Sequence, residues 1–384
     1  LSGDPISRRI GRATGELDEE TLVRDLKEAL TRAKNDKRIA TVVLDLTGLS
    51  GGGLAKLREL GTSLEDFRKS GKRIVALGEY YDQPQFYLAA YADDIYLDPM
   101  GFVLIDGFDR YRMYYREVID KLLIDVNVFK VGEYKSGPDE FERKDMSPEE
   151  REESRVWLGD LWSQYQADVG KRRKLPPGAL ASYANDFAVL LKAAQGDTAR
   201  VARERGLVTA IETRPAVEAL LKKVVGEDDT THSFNQVSAA EYLQATRAEI
   251  VLHRHSDNKI GIVVASGEIL DGSYPPGTVG GDSTSELLRD ARYDEDVKAV
   301  VLRIDSPGGS VFASEQIYRE IAALRAAGKP VVASMSSVAA SGGYYIAAGA
   351  NQIWADPGTI TVSSGIYAIL PTFEKRALGL QRDA

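Results

Sequence analysis

Ser341 stands in the run Ala339-Ala340-Ser341-Gly342-Gly343-Tyr344-Tyr345, where the neighbouring residue types are those that open a hydroxyl to chemistry. The β-rich segment Val331-Val332-Ala333-Ser334-Met335 leads in and a small-residue helix over 344–350 leads out, so Ser341 falls at a strand-to-helix turn. At a helix N-terminus, unpaired backbone N–H groups and the helix dipole favour developing negative charge. Gly342 and Gly343 let a substrate backbone approach without a Cβ in the way. A second glycine turn, Asp305-Ser306-Pro307-Gly308-Gly309-Ser310, ends a strand predicted over 299–304, with amides free to face the first turn. A serine between two such turns, each following a buried strand, is the usual assembly of a nucleophile and an oxyanion hole. The plainer alternative is two tight turns and an N-cap serine.

A serine nucleophile needs a base. There is no cysteine, which excludes thiol nucleophiles, disulfides and thiolate metal sites. The three histidines, His232, His253 and His255, share one polar stretch far from the glycine turns, so a Ser-His-Asp triad finds little support. A lysine is the other candidate, and it must be neutral to accept a proton. Bringing a lysine from about 10.4 to about 7.5 costs roughly 4 kcal/mol of charge stabilisation, which burial can provide. Lys135 suits this role, in Gly132-Glu133-Tyr134-Lys135-Ser136-Gly137 after a strand predicted over 126–131. Glu133 and Glu140 oppose the shift unless they point away, and a solvated surface lysine is the plain alternative.

The elements that must position these residues follow in order. The spacing predicts a helix over 17–34, with Asp18, Glu19 and Glu20 at its start. Thr41-Val42-Val43-Leu44-Asp45-Leu46 reads as a parallel strand covered on both faces. After Gly51-Gly52-Gly53 come a helix to Ser70, a strand over 73–77, a helix near 86–91 and a strand over 94–97, which makes right-handed parallel crossovers. The order then repeats at an offset of 258 residues: Ala33-Lys34-Asn35-Asp36 against Ala291-Arg292-Tyr293-Asp294, Val42-Val43-Leu44 against Val300-Val301-Leu302, and Ile95-Tyr96-Leu97-Asp98-Pro99 against Ile353-Trp354-Ala355-Asp356-Pro357. Gly71-Lys72 against Gly328-Lys329 slips by one residue. Two copies of one α/β unit are therefore expected.

The copies differ at the chemistry. Opposite Ser341 the first copy has Gln83, and opposite Ser306-Pro307-Gly308-Gly309 it has Gly48-Leu49-Ser50-Gly51. The counterpart of Lys135 would fall beyond Ala384. The copies are expected at 1–136, supplying the lysine, and 258–384, supplying the serine. A helical connection and polar linker over 137–257 lies between them. It starts with the capping box Ser147-Pro148-Glu149-Glu150. Trp157, Leu158, Leu161, Trp162, Tyr165 and Val169 then form one stripe, read as a packing face. Pro176-Pro177-Gly178 breaks the helix, and 226–258 reads as linker.

With 49 basic and 58 acidic residues the net charge is −9 and no basic face is concentrated, so nucleic acid is not an expected partner. Nothing reads as a signal peptide or membrane span. The longest uncharged stretch, 330–355, carries Ser, Gly, Asn and Gln and reads as buried core. The first residues, Leu1-Ser2-Gly3, lack a methionine, so an N-terminal anchor could have been removed.

Gly132-Glu133-Tyr134-Lys135-Ser136 with Asp145-Met146-Ser147-Pro148-Glu149, the Ser306-Pro307-Gly308-Gly309-Ser310 turn, and Ala340-Ser341-Gly342-Gly343-Tyr344 together resemble the signal peptide peptidase A family in its long tandem-repeat form. The resemblance runs through essentially the whole chain, duplication included. It implies a membrane-anchored serine protease with a Ser/Lys dyad on the fold shared by crotonases and the Clp protease, needing no cofactor or metal. It implies Ser341 as nucleophile, Lys135 as general base from the other repeat, Gly308 and Gly342 as oxyanion amides, and Ser363, in Thr361-Val362-Ser363-Ser364-Gly365, as the serine that orients the lysine. It further implies signal peptides and other extended peptides as substrates and a homotetramer on the outer face of the bacterial inner membrane. Against the pattern, both ends look trimmed, the first copy lacking a strand to match 259–265. The competing expectations are a crotonase-type acyl-CoA enzyme and a non-enzymatic assembly scaffold.

Overall fold

The computed structural model describes residues 21–248 and 258–374. In chain order its strands are β1 (Thr41–Asp45), β2 (Arg73–Gly78), β3 (Asp94–Leu97), β4 (Asp125–Val131) and β5 (Ala210–Ile211). They continue as β6 (Lys259–Ser266), β7 (Ile269–Leu270), β8 (Val279–Gly280), β9 (Val297–Ser306), β10 (Val331–Ala339), β11 (Gln352–Trp354) and β12 (Ile366–Thr372). The chain forms two compact units, one of Leu1–Gly107 with Trp162–Ser256, the other of Phe108–Leu161 with Asp257–Ala384.

In the first unit a parallel sheet has the order β1-β2-β3-β5, with Val43 beside Val75 and Ala76 beside Ile95. Helices Leu54–Arg68 and Gln83–Ala89 make the crossovers. Phe67, Ile74, Ala76, Phe86, Ile95 and Leu97 are fully buried between the layers, each of the large ones contributing about 1.5–3 kcal/mol of apolar burial. β1 was expected to be covered on both faces. Among the described residues it ends the sheet, and its residues are mostly half-buried. The strand that would match 259–265 in this copy falls outside the described residues, as do Asp18, Glu19 and Glu20.

In the second unit the order β11-β10-β9-β6 repeats the pattern, again parallel, with Val301 beside Val332. Val300, Leu302, Ile304, Ile317, Ile321, Val331, Ala333 and Ile346 are fully buried. The 330–355 stretch, read as buried core, supplies β10, the helix Gly342–Ala348 and β11 of this layer; β10 is largely buried, whereas β11 is exposed. The duplication holds in detail. Helices Val23–Asn35 and Gly281–Tyr293 occupy equivalent places. Lys72 Nζ donates to the carbonyls of Ala33 and Asp36, and Lys329 Nζ to those of Ala291 and Asp294. The protein is thus an α/β protein of two tandem copies.

Helices Pro148–Arg173, Ala179–Asn185, Phe187–Ala193, Thr198–Glu204 and Arg214–Val225 connect them. Ser147 Oγ receives the Glu150 N–H as the capping box requires, and Leu161, Tyr165 and Val169 of the stripe are buried. The stretch read as linker contains one more helix, Ala239–Ala248, which Ser238 and Glu241 cap reciprocally. No helix among the described residues is long and apolar enough to cross a membrane.

β4 and β12 pair antiparallel, with Val131 opposite Ile366 and Asp125 opposite Thr372. This ladder carries the lysine-bearing segment into the compact unit that holds Ser341, whereas the sequence boundaries set it in 1–136.

Candidate active site

Ser341 caps the helix Gly342–Ala348 directly after β10, at φ +49° and ψ −117°. An L-residue held there stores about 1–3 kcal/mol of backbone strain, which persists only where the surroundings over-determine it. The surroundings are close indeed: the Ala340 N–H donates to Ser306 O at 3.0 Å, the Gly343 N–H to Ala340 O at 2.8 Å, and the Tyr345 N–H to Ser341 O at 3.0 Å. The residue is half-buried and its backbone is fixed by these bonds.

Lys135 Nζ lies 2.9 Å from Ser341 Oγ and donates to Ser363 O at 3.1 Å. Only 7% of the residue is exposed. Burial holds the amine below the ordinary lysine range, and the carboxylate of Glu153 opposes that shift. The two carboxylates that threatened it lie elsewhere: Glu133 is exposed, and Glu140 reaches the Arg112 guanidinium at 3.6 Å. The lysine turn is seated against the 363–365 turn, because a Cβ on Gly132 would come within 2.7 Å of Ser364 O. Ser363 hydrogen-bonds the lysine through its main-chain carbonyl. Its φ of +64° turns that carbonyl toward the amine.

The two glycine turns are in contact. A Cβ built on Gly308 would stand 2.6 Å from Gly342 N, and one on Gly342 would stand 2.6 Å from Ser314 Oγ. The Gly342 N–H is the first of its helix and has no intrahelical acceptor. The Gly308 N–H donates to Ser306 Oγ at 3.2 Å, on a side chain that is fully buried. Of the two amides singled out, one is thus the first N–H of a helix and the other is held by a buried serine.

At the matching place in the first copy, Gln83 is satisfied from both ends: its Nε2 donates to Gly107 O at 2.7 Å and its Oε1 accepts from the Gly107 N–H at 2.8 Å. His232 lies in that unit on an exposed turn, 3.5 Å from Glu227, while His253 and His255 lie outside the described residues. The partner of Ser341 Oγ is an amine.

A model of peptidase family S49 matches residues 66–222 and 323–379, more than half of the sequence. The chain belongs to peptidase family S49. Among relatives of this S49 peptidase, Protease 4 of Salmonella typhi is 41% identical over 98% of this chain and 60% of its own length. The chloroplastic serine protease SPPA of Arabidopsis thaliana is 31% identical over 91% of this chain and 50% of its own length. A putative signal peptide peptidase SppA of Enterococcus faecium is 39% identical over 21% of this chain and 23% of its own length. The S49 chain thus spans 60% and 50% of the first two relatives.

Proposed function

We propose that this chain hydrolyses peptide bonds with Ser341 as nucleophile and Lys135 as general base. The observation that carries the reading is the 2.9 Å separation of Lys135 Nζ and Ser341 Oγ, with the amine buried and its proton affinity lowered. In the neutral state the amine accepts the Ser341 proton as the hydroxyl adds to the scissile carbonyl. The resulting ammonium protonates the leaving amine, which leaves an acyl-enzyme. The neutral amine then takes a proton from water as the water oxygen adds to the acyl carbon, returns that proton to Ser341 Oγ as the ester C–O bond breaks, and the released acid loses its remaining proton to solvent. Through both steps the Ser363 carbonyl keeps Nζ beside Oγ.

The oxyanion falls to the Gly342 N–H, with the Gly308 N–H shared between it and Ser306 Oγ, each donor contributing about 3 kcal/mol of transition-state stabilisation. Extended peptides, and signal peptides among them, are the proposed substrates. Support comes from the exposed apolar side chains of Val311, Phe312, Tyr344 and Tyr345, which follow the two glycine turns directly, and from the name of the Enterococcus relative, a signal peptide peptidase. The proposed setting is a homotetramer anchored by an N-terminal segment to the outer face of a bacterial inner membrane, which rests on the family resemblance.

A fluorophosphonate probe followed by intact-protein mass spectrometry tests the nucleophile. One adduct on Ser341, absent from Ser341→Ala, is expected. Acyl-CoA turnover with no adduct would move the assignment to a crotonase-type enzyme.

A further inference from the structure

Helix Pro148–Arg173 begins with an acidic turn, and two of its carboxylates do unusual things. Glu150 is fully buried, yet it is paired: Arg112 Nη1 donates to it at 2.7 Å, Arg110 Nη2 lies 2.9 Å away, and the Tyr114 hydroxyl donates at 3.1 Å. The same Arg112 donates to the carbonyls of Ser136 and Gly137, at 2.9 and 2.7 Å, in the two residues after Lys135. A buried carboxylate satisfied in this way is a rigid anchor, because releasing either partner strands a charge in low dielectric. The start of the helix is therefore fixed to the lysine turn. One turn on, Glu153 Oε1 accepts the Ser363 N–H at 3.1 Å. Ser363 is the residue whose carbonyl receives Lys135 Nζ.

We propose that Glu153 is a positioning residue for the lysine: its carboxylate holds the Ser363 main chain in the left-handed conformation that aims the Ser363 carbonyl at Nζ and keeps the amine on Ser341. The chain of contacts is continuous, from Glu153 to the Ser363 amide, through one residue to its carbonyl, then to Nζ and Oγ. A left-handed serine is not self-supporting, and the amide clamp supplies the restraint. The carboxylate also acts on the lysine through space, stabilising the ammonium formed after proton transfer. Other charged and aromatic groups around the lysine are accounted for. Lys130 pairs with Asp139 at 3.1 Å, Glu140 faces Arg112, and the Tyr367 ring of β12 lies 5.7 Å from Nζ.

This inference rests on the dyad reading, and the test separates the two. The rate of Ser341 phosphonylation by a fluorophosphonate is measured against pH for the wild-type chain, Glu153→Gln, Glu153→Ala and Lys135→Ala. Glu153→Gln keeps an oxygen acceptor for the Ser363 N–H and loses the charge, so the acid limb is expected to move to lower pH with the plateau rate within about threefold. Glu153→Ala loses the acceptor as well, and its plateau is expected to fall about 10- to 100-fold, the loss typical of a displaced catalytic group. A clamp that served only the fold would leave the limb of the folded Glu153→Gln variant where it is. If Lys135→Ala is slow but both Glu153 variants keep the wild-type limb and plateau, this inference fails and the dyad stands. If Lys135→Ala labels as fast as wild type, both fall. Glu153→Gln alone decides the case where Glu153→Ala does not fold.

Discussion

Gly308 Cα rests against the backbone nitrogen of Gly342, so closely that a Cβ on Gly308 would stand 2.6 Å from that nitrogen and 2.8 Å from Ser341 Cβ. Gly308 also has φ +99°, where an L side chain is strained in any surroundings. Both turns must therefore move apart to admit one methyl group. Gly308→Ala is expected to lower stability by about 1–3 kcal/mol and to reduce peptide hydrolysis by about 10²-fold or more. Thermal melting and steady-state hydrolysis read the two effects separately.

Under the proposed dyad the lysine sets the pH dependence. Its proton affinity in the folded chain is lowered by burial, and only the neutral amine can accept the serine proton. Hydrolysis is expected to rise with pH through a midpoint below the ordinary lysine range and then level off. The same shift makes the folded state release the Lys135 proton before the unfolded state does, so this residue's contribution to stability also improves with rising pH between the folded and unfolded values. The acid limb of kcat/KM reads the free-enzyme midpoint.

Gln83 holds the place of Ser341 in the first copy, and its amide closes a two-bond clasp on Gly107. Gln83→Ser restores a hydroxyl there but strands the Gly107 N–H. No probe adduct is expected at position 83, and stability is expected to fall by about 1–3 kcal/mol. Peptide mapping of the labelled variant checks the first, chemical denaturation the second.

Acid is expected to loosen the helix read as linker. Arg247 on Ala239–Ala248 donates to Glu28 and Asp25 of helix Val23–Asn35, and the Arg247 hydrogen bond, followed by Arg32, lowers the Glu28 pKa to about 2 from 4.5. The stabilisation is present above 4.5 and is lost as pH falls toward 2. Amide exchange in Ala239–Ala248 should accelerate over that window, and Glu28→Gln should flatten the dependence.

The α/β class, the duplication and the serine turn were legible because they follow local rules: apolar runs punctuated by glycine, repeated at a fixed offset. The pairing of β4 with β12 was not, since residues 125–131 and 366–372 are distant in sequence and their alternation says nothing of partners. That pairing decides which unit owns Lys135. Helix Ala239–Ala248 was missed although Ser238 and Glu241 carry its capping signature; its polar composition hid it. Ser306 and Glu153 were missed because each acts on a backbone amide, and an acceptor for a main-chain N–H leaves no spacing pattern in the sequence. Ser363 came from the family likeness alone, which names no atom; the atom that meets the amine is its main-chain carbonyl.

The central claim is tested most directly by the hydrolysis of a fluorogenic peptide by Lys135→Ala, with Ser341→Ala as the floor and circular dichroism to confirm the fold. Loss of the general base is expected to lower kcat by about 10²- to 10⁴-fold, close to the Ser341→Ala level. Hydrolysis by a folded Lys135→Ala variant within a few-fold of wild type would contradict the account.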